Sequence, residues 1–130
     1  MADSGNVLVD TSAWLDLFAG PTAAASALLP LMKARRVVIC GMVLQEVLQG
    51  SRDDAMLRRL ERDMSLWSYE PETPDDFAAA ARTYARLRWK GVTIPSADCL
   101  IAEVAKRSGA RLFATDPHFG QIPGLRLYDF

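Results

Sequence analysis

Three short apolar runs, the first two rich in β-branched residues, constrain this chain more than anything else: Val7-Leu8-Val9, Val37-Val38-Ile39-Cys40 and Leu112-Phe113-Ala114-Thr115. None alternates apolar with polar residues, so each reads as a strand covered on both faces. The stretches between them carry apolar residues at helical spacing. Strands alternating with helices give an α/β chain with a mainly parallel central sheet.

Residue chemistry places the other elements. Asn6 to Val9 is the first expected strand, and Ser12 is expected to cap a helix from Ala13 that fades before Gly20-Pro21. Thr22 to Arg35 reads as a second helix with a kink or break at Pro30. Met42 to Gln49 is a third helix, closed by Gly50, and Asp53 to Met64 a fourth, strongly charged. Leu66 to Tyr69 reads as a short strand stopped by Pro71. Thr73-Pro74-Asp75-Asp76 is a helix start, with Thr73 as cap, Pro74 at the first helical position and acids at the positive end of the dipole. That helix stops at Gly91; the next is capped by Ser96 and ended by Gly109. Leu125 to Tyr128 is expected as a last short strand. No repeat or linker divides the 130 residues, so a single domain over 1–130 is expected.

Composition removes several classes. No apolar run approaches the ~20 residues a membrane span needs, and Met1 to Asn6 carries no apolar signal region, so a cytoplasmic protein without a membrane partner is expected. Cys40 and Cys99 lie in apolar surroundings and read as reduced core thiols. One His and no Cys-x-x-Cys argue against structural zinc.

Four acids stand where carboxylates are costly or well placed for chemistry: Asp10, Glu46, Asp98 and Asp116. Asp10 and Asp116 directly follow expected strands. Asp98 sits in the first turn of a helix, and Glu46 lies inside the apolar stretch 42–48. In open α/β sheets, sites gather beyond the carboxyl ends of the strands, and all four can reach that edge. Gathered there, they would repel one another unless a hard divalent cation, Mg²⁺ or Mn²⁺, sat among them. Thr11, Ser12, Ser96 and Thr115 are placed to orient carboxylates from behind. His118, near Asp116, invites a general-base role, against which a metal would already supply the nucleophile; Glu103, about one helical turn beyond Asp98, reads as a solvated residue, with an outer acid of the site as the alternative.

The net charge is −1, yet 12 of the 15 basic residues are Arg. They cluster at Lys33/Arg35/Arg36, Arg52/Arg58/Arg59/Arg62 and Arg82/Arg86/Arg88/Lys90. A basic rim around an acidic pocket suits a metal-dependent enzyme acting on a polyanion. Trp14 reads as core or dimer interface, and Trp67 and Trp89 as candidates for stacking on bases.

The segments around the acids resemble the PIN-domain ribonucleases, and specifically the VapC-type toxins of bacterial toxin–antitoxin pairs. The carriers are Val7-Leu8-Val9-Asp10-Thr11-Ser12-Ala13-Trp14, Gln45-Glu46-Val47, Ile94-Pro95-Ser96-Ala97-Asp98-Cys99-Leu100-Ile101-Ala102 and Ala114-Thr115-Asp116-Pro117-His118-Phe119. The resemblance covers nearly the whole chain. It implies a three-layer α/β/α sandwich, a metal-dependent endoribonuclease, a homodimer and a small VapB-like antitoxin that blocks the site. It also implies that the four acids are catalytic and hold the metal.

Two other functions use similar parts. A phosphate-accepting receiver domain needs an acid pair after the first strand and a Lys after a late one, but Thr11 follows Asp10 and no Lys follows Thr115. An Asp-x-Asp phosphatase has an acid where Ser12 stands. A PIN-like interaction module without catalysis stays open, and metal-dependent RNA cleavage separates it from a nuclease.

Overall fold

Val7–Val9 forms β1, whose three residues are fully buried. A computed structural model describes residues 2–130 and places β1 second from one edge of a four-stranded sheet, in the order β3-β2-β1-β4. β1 pairs in parallel with β2 (Val37–Ile39) through Val7 with Val37 and Leu8 with Val38. On its other side it pairs in parallel with β4 (Arg111–Phe113), Leu8 opposite Leu112. β3 (Ser68–Tyr69) joins β2 in parallel at the far edge. With every pair parallel, the strand ends that precede Asp10, Cys40 and Ala114 all open on the same edge.

Six helices complete the α/β/α sandwich: α1 Thr11–Ala19, α2 Ala23–Lys33, α3 Gly41–Gln49, α4 Asp54–Met64, α5 Pro74–Trp89 and α6 Ser96–Ser108. A 3₁₀ turn spans Pro117–Gln121. Trp14, Phe113 and Phe119 are the largest fully buried side chains, and they lock the core beside Asp10 and Asp116. Cys40 and Cys99 are free and buried. Among the described residues, no single helix is long and apolar enough to cross a membrane.

The α5 start is as the sequence predicts: Thr73 Oγ1 accepts the Asp76 amide at 3.2 Å, and the Asp76 carboxylate accepts the Thr73 amide at 2.8 Å. Gly109 closes α6 at φ 73°, a left-handed conformation that favours glycine.

Four expectations need correction. Ser12 is not a cap: α1 starts one residue after Asp10, which takes the N-cap position, and Ser12 lies inside the first turn. Ser96 is likewise the first helical residue of α6, with Pro95 at the cap. Pro30 does not break α2, which runs on to Lys33. Both Pro30 and Ser26 are exposed, so the Ser26 carbonyl, left without an amide partner by Pro30, can be hydrated. The last expected strand, Leu125 to Tyr128, is a single parallel bridge of Leu127 to Leu112. Leu112 donates to the Arg126 carbonyl and accepts from the Tyr128 amide, and the ladder goes no further. The tail is held instead by its rings: Phe113 stacks with Phe130 at 4.2 Å and Tyr128 at 5.6 Å between centroids.

Candidate active site

Asp10 is 4% exposed at the end of β1. Its amide donates to the Phe113 carbonyl of β4, and its carbonyl accepts the Ala13 and Trp14 amides, so its backbone is held from both sides. Ser12 donates its hydroxyl hydrogen to Asp10 Oδ2 at 2.7 Å, and Thr115 donates to Ser12 Oγ at 3.1 Å. Asp10 Oδ1 is buried and has no hydrogen-bond partner. A buried carboxylate oxygen left without a donor costs free energy, which a bound water or cation would offset.

Glu46 sits half-buried in the second turn of α3. Thr11 donates to its Oε1 at 2.8 Å, tying α3 to the first turn of α1. The α3 N-terminus is anchored by Glu72, whose two carboxylate oxygens accept the Gly41 amide at 2.9 Å and the Met42 amide at 2.7 Å. A Cβ on Gly41 would stand 2.7 Å from Glu72 Oε1, so glycine lets that carboxylate approach. Sequence reasoning missed Glu72, because it lies far along the chain from the helix it caps.

Asp98 lies in the first turn of α6, partly buried. Its carboxyl is pushed up to about 6, first by burial and then by the charge of Asp10, with His118 opposing and Glu46 adding to the rise. That balance places Asp10, Glu46 and Asp98 around one region. Asp116 is more open: its side chain is 47% exposed, and its Oδ1 accepts the His118 amide at 3.0 Å, starting the 3₁₀ turn. It meets the others through the His118 ring, whose Nδ1 lies 3.0 Å from Asp116 Oδ1 and whose Nε2 lies 2.8 Å from Asp98 Oδ2. The Nε2 contact is one of proximity, since this buried nitrogen makes no aligned hydrogen bond. Phe119, with its ring 4.6 Å from the imidazole, supports it from below.

The supporting residues divide. Thr11, Ser12 and Thr115 bond into the site, whereas Ser96 is exposed and its hydroxyl makes no hydrogen bond to any of the acids. Glu103 is not solvated as expected: it is 7% exposed, and it accepts from Thr83 at 3.0 Å and from Lys106 at 3.1 Å between α5 and α6. It serves helix packing, outside the acidic site.

The donor set is all oxygen at its centre, which suits hard cations such as Mg²⁺ or Mn²⁺. Asp10 Oδ1 has no donor, and the charges of Asp10 and Glu46 bear on Asp98 beside it, so these oxygen ligands fit a divalent cation. Among the described residues, no three Asp, Glu, His or Cys side chains form a ready-made cluster around one point. An ion held among these acids would be reached partly through water, a mode that Mg²⁺ accepts.

Known proteins share this architecture. The chain is 39% identical over 121 residues to the VapC ribonuclease Mb1587 of Mycobacterium bovis, covering 89% of this chain and 90% of that protein. The ribonuclease VapC11 of Mycobacterium tuberculosis matches equally. VapBC2 from Rickettsia felis, solved bound to a DNA fragment from its promoter, superimposes with a TM-score of 0.80 at 22% identity, covering 95% of this chain and 98% of that one; at that identity the likeness speaks for the fold. Residues 7–125 match the PIN domain. With the acids at the shared edge of the sheet and this match over most of its length, the chain belongs to the PIN-domain family, among its VapC-type members.

Proposed function

We propose that this protein is the toxin of a toxin–antitoxin pair and a Mg²⁺- or Mn²⁺-dependent endoribonuclease whose site is built on Asp10, Glu46, Asp98 and Asp116. One observation carries the reading: the buried Asp10 Oδ1 has no partner, beside an Asp98 carboxyl pushed up by burial and by its acidic neighbours. The 39% identical relatives named as VapC ribonucleases support the choice of RNA as substrate.

Asp10, Asp98 and Asp116 would hold the cation directly or through water, with Glu46 beside them. When bound, the cation supplies charge stabilisation at the phosphodiester and at the leaving oxygen. The chain's own groups set the geometry. Ser12, backed by Thr115, holds Asp10 Oδ2 and leaves Oδ1 facing the site. Thr11 holds Glu46 Oε1, which leaves Oε2 to orient an attacking water. His118 joins Asp98 and Asp116 into one unit.

The partner would be a VapB-like antitoxin, as the VapBC complexes of the same fold support, and the family resemblance implies that the toxin pairs as a homodimer. Purified protein freed of antitoxin is expected to cut RNA with Mg²⁺ or Mn²⁺ and to stop in EDTA. Cutting that persists in EDTA would refute the metal; no cutting of any RNA with metal present would leave a non-catalytic interaction module. Light scattering that gives a monomer at every concentration would refute the dimer.

A further inference from the structure

From Phe77 to Ala97 the chain carries four cations and no acid. Three of them, Arg86, Arg88 and Lys90, cluster with Trp89 at the end of α5, just before the loop that leads into α6 and Asp98. All three are exposed, and among the described residues none forms an ion pair. Trp89 is 75% exposed, the most of any large hydrophobic side chain among the described residues.

The packing of α5 on α6 sets the level of this patch. Asp76 meets Arg107 at 2.8 Å and Thr83 meets Glu103 at 3.0 Å, so the two helices run antiparallel in register. Both advance by the same rise per residue, so the position opposite Asp98 falls between residues 85 and 88. Along the axis Arg86 and Arg88 therefore stand level with an acid of the site, Arg88 on the Tyr84 flank of α5 and Arg86 on the opposite flank below Arg82, and Trp89 and Lys90 just beyond it. Arg88 lies 5.9 Å over the ring of Tyr84. Tyr84 lines a groove with Met42 of α3 and Ser96 and Ala97 of α6, the helices that carry Glu46 and Asp98. The tip is held in place: the Gly91 amide donates to the Arg88 carbonyl and the Val92 amide to the Leu87 carbonyl.

We infer that Arg86, Arg88, Trp89 and Lys90 form a docking arm for single-stranded RNA, which feeds the phosphate chain past Asp98. The inference rests on the ribonuclease reading above. An acidic site repels a polyanion, and cations standing beside it without acids of their own offset that repulsion. An exposed indole adds a base-stacking platform, the usual companion of such cations in single-strand binding. The same patch without RNA as its occupant would be a protein–protein surface, and the test separates the two.

The probe is a short fluorescein-labelled single-stranded RNA, titrated with the full chain in EDTA, so that binding is read without cleavage. Arg86→Gln/Arg88→Gln/Lys90→Gln is expected to weaken binding by about tenfold or more and to flatten the log–log salt slope by ~2, at ~0.7 for each phosphate no longer neutralised. Trp89→Ala is expected to weaken binding about tenfold while leaving the salt slope unchanged. Arg58→Gln/Arg59→Gln/Arg62→Gln on α4 removes the same charge elsewhere and is expected to do much less. Unchanged affinity and slope in the arm variants overturn the inference, as does an equal loss in the α4 variant. An arm variant that keeps its RNA affinity but changes its oligomeric state in sedimentation makes the arm a protein surface and overturns it too. Because binding is measured without metal, a failure to cleave RNA refutes the ribonuclease reading alone. Cleavage by a wild type whose arm variants bind normally refutes the arm alone.

Discussion

His118 Nε2 stands 2.8 Å from Asp98 Oδ2, and this imidazole is the only one in the chain. The contact ties the first turn of α6 to the 3₁₀ turn after β4, two segments that share no backbone hydrogen bond. Removing such a supporting partner typically costs roughly 10–100-fold in metal affinity or activity. His118→Ala is therefore expected to weaken Mg²⁺ binding, measured by calorimetry, and to slow RNA cleavage by roughly tenfold or more. Wild-type Mg²⁺ affinity and rate in the variant would show that the two acids need no bridge.

Asp98→Asn keeps the side chain's size and removes one charge from a crowded acidic region. Cleavage with Mg²⁺ is expected to be nearly abolished. The melting temperature in EDTA is expected to equal or exceed that of the wild type, because repulsion from Asp10 and Glu46 is relieved. Full cleavage would remove Asp98 from the site, and a large fall in melting temperature would make it a structural residue.

The Asp98 carboxyl also predicts a pH dependence. Folding pushes it up from 3.8 to about 6, so the metal-free folded protein holds this proton more tightly than the unfolded chain does. Its contribution to stability is therefore favourable at low pH, falls as pH rises between 3.8 and about 6, and is flat above. In EDTA, the wild type is expected to lose stability relative to Asp98→Asn across that window. Parallel melting curves for the two proteins over the whole range would contradict it.

Asp76 and Arg107 make the opposite case. Burial alone would push the Asp76 carboxyl up, but the Arg107 guanidinium and the Thr73 amide hold it below its usual value. Arg107 reaches Asp76 at 2.8 Å, Glu70 at 2.7 Å and the Pro71 carbonyl at 3.0 Å, joining α6 to α5 and to the exit of β3. Arg107→Leu leaves Asp76 buried without its cation and is expected to cost about 3 kcal/mol in urea unfolding. Stability within about 0.5 kcal/mol of wild type, the range of ordinary surface changes, would show that the pair is solvated in solution.

The sheet and the order of the helices were legible in the sequence because they depend on local signals. β-branched runs marked β1 and β2, the apolar run from Leu112 marked β4, and the Thr73-Pro74-Asp75-Asp76 start specified α5 with its cap. The ends of α1 and α6 were misplaced by a residue or two, since Asp10 and Pro95 took the positions that the serines' chemistry favoured. The acids were legible singly, as carboxylates at strand ends and in a helix's first turn, and so were Thr11, Ser12 and Thr115, which stand close to them in sequence. Glu72 at the head of α3 and, outside the site, Glu103 against Thr83 were not, because each is a meeting of distant segments. Glu103 looked solvated because its pattern on α6 gives no sign that α5 covers it.

The central place of β1 has a consequence for how the protein is made. Asp10 is the first of the four acids to leave the ribosome and Asp116 the last, and β1 takes hydrogen bonds from β2 on one flank and from β4 on the other. A nascent chain that has not yet delivered β4 leaves that flank of β1 open, the Asp10 amide without the Phe113 carbonyl, and His118 and Asp116 absent from the site. The acidic site thus comes together only once β4 and the turn that follows it have been made, and a fragment released before them has no route to it.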